Sequence, residues 1–252
     1  MMALKRSYIV ATTLLTGMIF TQQAIAAIAL DRTRVIFNGG EKSVSLNISN
    51  QNKELPYLAQ GWMENENGEK IESPLIVLPP IQRIEPSDKS QIKIQALPDI
   101  SKLPNDRESV FYFNLREIPP RSDKPNVLQI ALQTRIKLFY RPKAIYATQT
   151  DLSNPWQEKI TLTKQGDSYI VHNPTPYYVT IVDGLTELKG ESLEGFVPLM
   201  VDPKGQGKLN LKASEFGVFP VLSYINDYGG RPRLKFNCNG SECKVVETDS
   251  GY

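Results

Sequence analysis

An all-β chain built as two antiparallel sandwiches in tandem is what this sequence predicts, on three observations. The apolar pattern has period two almost everywhere, no long helical pattern competes with it, and 252 residues are too many for one sandwich of about 100. With 40% hydrophobic residues, 18 Pro, 16 Gly and two Cys, the chain has apolar material for one large core or two ordinary ones. That excludes a disordered, a collagenous or a disulfide-dense chain.

The first segment is not a strand. Lys5-Arg6 precede an apolar stretch over residues 8–20, followed by Gln22-Gln23 and the small-residue pattern Ala24-Ile25-Ala26, which is the layout of a secretory signal peptide. Cleavage is expected after Ala26, making 1–26 a leader. No segment approaches the roughly 20 apolar residues of a membrane span, so an exported chain without membrane insertion is expected. Of 29 basic residues, Lys5 and Arg6 leave with the leader, and the remaining 27 equal the 27 acidic ones. A nucleic-acid partner therefore has no electrostatic basis.

The strands follow in order. Val44, Leu46 and Ile48 alternate with Ser43, Ser45, Asn47 and Ser49, and Ile92 and Ile94 alternate with Gln91, Lys93 and Gln95. Phe111, Phe113 and Leu115 repeat the phase, as do Ile160-Thr161-Leu162, Tyr178-Val179-Thr180-Ile181, Leu209-Asn210-Leu211 and Leu234-Lys235-Phe236. A domain boundary is expected at Arg141-Pro142-Lys143-Ala144, where an apolar run ends at a Pro, giving domains 27–143 and 144–252. Export implies an oxidising compartment, and Cys238 and Cys243 bracket the turn-like Asn239-Gly240-Ser241-Glu242, so a disulfide is expected. Two sulfurs and a distant His172 do not complete a zinc site, and neither metal nor cofactor is expected.

Catalytic motifs are scarce. His172 is the only histidine and lies at a strand end beside a turn, where a surface or capping role is the simpler reading, and no G-x-S-x-G, P-loop or H-E-x-x-H is present. A glycosidase-type carboxylate pair could be assembled from 27 acids, but nothing singles one out.

Residues 126–140, ending in the apolar Leu138-Phe139-Tyr140, read as one long strand. Leu128, Ile130 and Leu132 share a face, three aliphatic side chains about 6.6 Å apart. Two readings stay open: the row faces its own core, or it is an exposed edge lending itself to a partner strand. Asp31-Arg32-Thr33-Arg34 is a second oddity, placing two arginines on one face of the first expected strand. Lys137 is a further charge within an apolar strand. Arginines at an N-terminal edge usually only hold water, yet Arg34 and Lys137 converging in a cleft would bind a carboxylate.

Several of these stretches are recognisable. Asp31-Arg32-Thr33-Arg34, Leu55-Pro56-Tyr57-Leu58-Ala59-Gln60, Glu108-Ser109-Val110-Phe111-Tyr112-Phe113-Asn114-Leu115-Arg116-Glu117-Ile118-Pro119-Pro120, Leu138-Phe139-Tyr140-Arg141-Pro142 and Tyr224-Ile225-Asn226-Asp227-Tyr228-Gly229-Gly230 resemble the PapD-like periplasmic pilus chaperones. The resemblance covers nearly the whole mature chain and is weakest over residues 187–216.

It implies two immunoglobulin-like domains in a boomerang arrangement, with pilin subunits and an outer-membrane usher as partners and the periplasm as location. It implies that Leu128, Ile130 and Leu132 form a donor strand inserted into an incomplete pilin, a known instance of β-augmentation. It further implies that Arg34 and Lys137 anchor the pilin's C-terminal carboxylate, and that Glu108, Arg141 and Asp227 form an interdomain ion network. Lys137 has the opposite strand parity to the donor row, so a bulge or strand twist is expected between them. The short Pro-rich connection over residues 118–125 matches the branch serving rod-like pili. The free protein could self-associate to hide its apolar row. The competing reading is an exported sandwich that binds carbohydrate or host protein directly, such as an adhesin. It predicts ligand binding without pilin, but no exposed aromatic platform stands in the recognised stretches.

Overall fold

The computed structural model describes residues 26–148 and 155–250; the expected leader, apart from Ala26, lies outside them. The first domain contains β1 (Ile28–Leu30), β2 (Arg34–Asn38), β3 (Ser43–Asn50), β4 (Tyr57–Glu64), β5 (Lys70–Ile71), β6 (Leu75–Leu78), β7 (Ile81–Ile84), β8 (Lys89–Ala96), β9 (Ser109–Ile118) and β10 (Gln133–Arg141). Their order is β1-β3-β8-β6 in one sheet and β2-β10-β9-β4-β5 in the other, with β7 also paired to β4. The alternation in sequence supplies the layer between them. Leu46, Ile48, Ile92 and Ile94 from the first sheet meet Val35, Phe37, Phe111, Phe113, Leu115 and Leu138 from the second, all buried.

The N-terminal stretch does not form one strand. β1 pairs with β3 in the first sheet, and after a bend at Asp31–Thr33 the chain joins the second sheet as β2, parallel to β10. Arg32 therefore shares no strand face with Arg34. It lies at the bend and pairs with Asp31 at 2.8 Å, while the Asp31 carboxylate also accepts from the Asn47 side chain. A switch between sheets is driven by satisfying backbone groups on both layers, which the residue pattern does not reveal.

The second domain contains β11 (Thr161–Gln165), β12 (Ser168–His172), β13 (Val179–Leu185), β14 (Leu199–Val201), β15 (Gln206–Lys212), β16 (Val221–Tyr224), β17 (Arg233–Asn239) and β18 (Glu242–Asp249). It is one ladder, β14-β13-β16-β17-β18-β11-β12-β15, not two separate sheets. Its end strands β14 and β15 are joined by only Asp202-Pro203-Lys204-Gly205, so the ladder must fold over and close around Ile181, Leu209, Phe216, Leu222, Leu234 and Phe236. Register shifts at Ile181/Asp183, Ser168/Ile170 and Lys235/Phe236 provide the local bends. Cys238 and Cys243 face each other across the β17–β18 hairpin and form a disulfide, with Gly240 in its turn at φ +63°. His172 ends β12, paired with Thr161 and Gln206. Among the described residues no helix is long and apolar enough to cross a membrane.

Candidate functional site

The site is built on the outer face of the second sheet of the first domain. In β10 the even positions Ile136, Leu138 and Tyr140 point into the core, which sends Lys137 outward. Its Cα partner on the parallel strand β2 is Arg34, so the two cations stand side by side on that face. The second domain covers them: Arg34 Nη1 donates to the Ile225 carbonyl at 3.2 Å, and Lys137 Nζ lies 3.4 Å from Thr180 Oγ1. Among the described residues neither cation forms an ion pair, and Arg34 Nε is buried without a hydrogen-bond partner. Burial pushes the Lys137 ammonium down to about 8, helped by the neighbouring Arg34 and Arg135 charges. Burial also lowers Arg34, against the pull of Asp227 and Glu108. Arg34, desolvated and with a spare donor, borders a cleft of about 680 Å³ in which it favours a small anion, with the Lys137 charge adding to the local field. Lys137 stands behind Arg34, on the Thr180 side, and does not line that volume.

The segment preceding β10 departs from expectation. Residues 119–132 form no strand, although the alternation of Leu128, Ile130 and Leu132 is that of one. The cause is the lack of a partner. Its link to β9 is the Glu117 amide donating to the Leu132 carbonyl at 3.0 Å, and a ladder needs a second strand to continue. Leu128, Ile130 and Leu132 are 84%, 64% and 37% exposed. The reading in which the row faces its own core is thus overturned. The β9–β10 ladder runs from Gln133 to Tyr140 without a register shift, so the expected bulge is absent. None is needed, because the row has the parity of the core positions Ile136 and Leu138 and extends their phase beyond the domain, while Lys137 belongs to the opposite face.

A buried ion network joins the domains next to the cleft. Arg141 donates from Nε and Nη2 to Glu108 Oε1 at 2.9 and 2.8 Å, and from Nη1 to Asp227 Oδ2 at 2.9 Å. Glu108 Oε2 accepts the Tyr178 amide at 2.8 Å. The Arg141 and Glu108 side chains are 5% and 2% exposed, Asp227 20%. Burial pushes the Glu108 carboxyl up to about 7 against the pull of Arg141 and the Tyr178 amide. The Arg141 guanidinium also lies 5.0 and 4.8 Å from the Trp156 and Tyr177 ring centroids.

Sequence reasoning missed the second domain's share: the Thr180 hydroxyl, the Ile225 carbonyl, the Tyr178 amide and the Phe139–Tyr178 ring contact at 5.6 Å. The one available signal was the cluster Pro176-Tyr177-Tyr178, too bulky and aromatic for a free turn.

Comparison with known proteins decides the family. Residues 27–146 match the pili and flagellar-assembly chaperone, PapD N-terminal domain, and residues 155–236 match the pili assembly chaperone PapD, C-terminal domain. The chain belongs to the PapD family. It is 57% identical over 224 residues to the chaperone protein PapD of Escherichia coli, covering 88% of this chain and 91% of that one. It is 53% identical over 227 residues to the probable fimbrial chaperone YfcS of E. coli K12, covering 90% and 89%. Among solved structures, the periplasmic chaperone SfaE superposes with a TM-score of 0.66 at 30% identity, covering 82% of this chain and 98% of that one. The SafB chaperone in complex with the SafA pilin of Salmonella enterica gives 0.66 at 26% identity, covering 83% and 94%. The PapD family is non-enzymatic, which agrees with the scarcity of catalytic motifs.

Proposed function

We propose that this chain is a periplasmic chaperone of the chaperone–usher pathway that holds pilin subunits by lending them a strand and delivers them to an outer-membrane usher. The observation that carries the reading is the exposed row Leu128, Ile130 and Leu132, in strand phase and unpaired, leading directly into a strand that bears Lys137 beside Arg34. A pilin lacking its last strand offers a groove for three alternate side chains and a backbone edge for the ladder. Each buried side chain contributes at most about 1.5–3 kcal/mol, less for Leu132, which is already more than half covered. Ordering the segment offsets part of that sum, so the main-chain ladder and the anchor supply the remainder.

Arg34 and Lys137 fix the register. A chain-terminal carboxylate set between them accepts charge-assisted hydrogen bonds and fixes where the pilin strand ends, hence which groove positions meet Leu128, Ile130 and Leu132. Glu108, Arg141 and Asp227 hold the second domain so that Asp227, Tyr228 and Gly229 line the cleft while Thr180 and Ile225 cover the two cations. The chain's own residues bind, orient and shield the partner; no covalent step is involved. The leader-like residues 1–26 and the Cys238–Cys243 disulfide support an oxidising, exported location. The likeness to a chaperone solved with its pilin supports the partner class.

The experiment is capture of a purified, strand-deficient pilin by wild-type chain and by the Leu128→Ser/Ile130→Ser variant. The reading requires a soluble one-to-one complex with the wild type and none with the variant. Equal complexes from both would overturn it.

A further inference from the structure

The first part of the connection between the domains, residues 142–146, is held by both of them. On one side the turn Gly39-Gly40 of the first domain receives it: the Gly39 amide donates to the Arg141 carbonyl at 2.8 Å and the Gly40 amide donates to the Tyr146 hydroxyl. On its other side the Tyr177 hydroxyl of the second domain donates to the Ile145 carbonyl at 2.7 Å. Between them Pro142 to Ile145 close a 3-10 turn through the Ile145 amide and the Pro142 carbonyl at 3.0 Å.

The two glycines are explained by this contact and not by backbone conformation, since neither has a positive φ. A Cβ on Gly40 would sit 2.7 Å from the Tyr146 hydroxyl oxygen, with the next atom, Cζ, at 3.7 Å. A Cβ on Gly39 would meet the Tyr140 hydroxyl oxygen at 2.7 Å and the Pro142 Cα at 3.1 Å. Tyr177 is itself part of the ion network's setting, its ring 4.3 Å from Trp156 and 4.8 Å from the Arg141 guanidinium.

From these contacts we infer that Tyr146 is a positioning residue: docked on Gly40, it makes residues 142–146 a strap of fixed length between the Gly39-Gly40 turn and Tyr177, which sets the angle between the domains together with the Glu108–Arg141–Asp227 network. The consequence reaches the cleft, because Ile225 and Thr180 approach Arg34 and Lys137 only at that angle. Tyr146 also lines the cleft beside Arg34, so the orientation of the domains, which a direct ligand contact would not move, is the readout that isolates the strap.

The test exploits the spacing at Gly40. In the full chain, Gly40→Ala, Tyr146→Phe and the double variant are compared by residual dipolar couplings, which report the relative orientation of the domains. Binding of a short peptide with a free C-terminal carboxylate is measured alongside. Gly40→Ala, whose Cβ meets only the tip of the Tyr146 side chain, is expected to lift that hydroxyl off the turn, change the relative orientation of the domains and weaken the peptide severalfold. In the Tyr146→Phe background, where the clashing oxygen is gone, the same substitution is expected to add little. Unchanged orientation in Gly40→Ala, or additive effects in the double variant, would overturn the inference. The peptide measurement rests on the proposed function and the orientation does not. A rotation seen while even wild-type chain ignores the peptide would uphold the strap and count against the carboxylate anchor.

Discussion

Lys137 and Arg34 stand opposite one another on neighbouring parallel strands, half-buried, with no ion pair to either among the described residues. Like charges in that position repel and lose hydration together, so the free protein carries a cost that an incoming carboxylate relieves. Replacing Lys137 by Met should therefore leave the melting temperature equal or higher while lowering affinity for a peptide carboxylate. With charge-assisted hydrogen bonds worth about 1.5–3 kcal/mol, the loss should be on the order of 10- to 100-fold. Calorimetry on the same preparations checks both halves.

The pH dependence has a definite sign. Lys137 titrates at about 8 in the folded chain against an ordinary value of 10.5. A lysine with a lowered folded value binds fewer protons folded than unfolded between those limits, so stability of the free protein rises as pH increases through that window. Carboxylate binding needs the ammonium and should weaken over the same rise. Peptide affinity measured from pH 6 to 10 should fall above about 8, and Lys137→Arg should flatten the profile.

Arg141 balances two carboxylates in a buried setting. Arg141→Ala should cost about 3–5 kcal/mol at pH 8, because Glu108 keeps its burial and loses its counter-charge. The cost should shrink at pH 5, where Glu108 takes a proton. Asp227→Asn should cost less than Arg141→Ala, since Asp227 remains a fifth exposed. Denaturant titrations at both pH values measure all three.

The disulfide lies at the far end of a hairpin that carries no part of the cleft. Replacing Cys238 and Cys243 by Ala should remove about 2 kcal/mol, as closure of so short a loop implies, without changing affinity for pilin. Thermal melts and pilin capture on the double variant separate the two effects.

Much of this was legible in sequence because strand parity carries direction. The alternation at Val44, Leu46 and Ile48 and at Ile92 and Ile94 marks buried faces, and the position of Lys137 within an apolar strand marks an outward cation. Parity could not say whether Leu128, Ile130 and Leu132 were covered, because coverage depends on a neighbour and no local pattern encodes a missing one. The bend that separates Arg32 from Arg34, and the folding of the second domain as one ladder, arise from long-range pairing. Thr180, Ile225 and Tyr178 entered the site only through domain docking, some 40 residues or more from their partners in the chain.

The most direct measurement is amide hydrogen exchange over residues 127–132, in the free protein and in complex with a strand-deficient pilin. Strand lending predicts rapid exchange in the free chain and strong protection in the complex, at the amides that face the pilin edge. A stable complex in which these amides still exchange as in the free chain would contradict it.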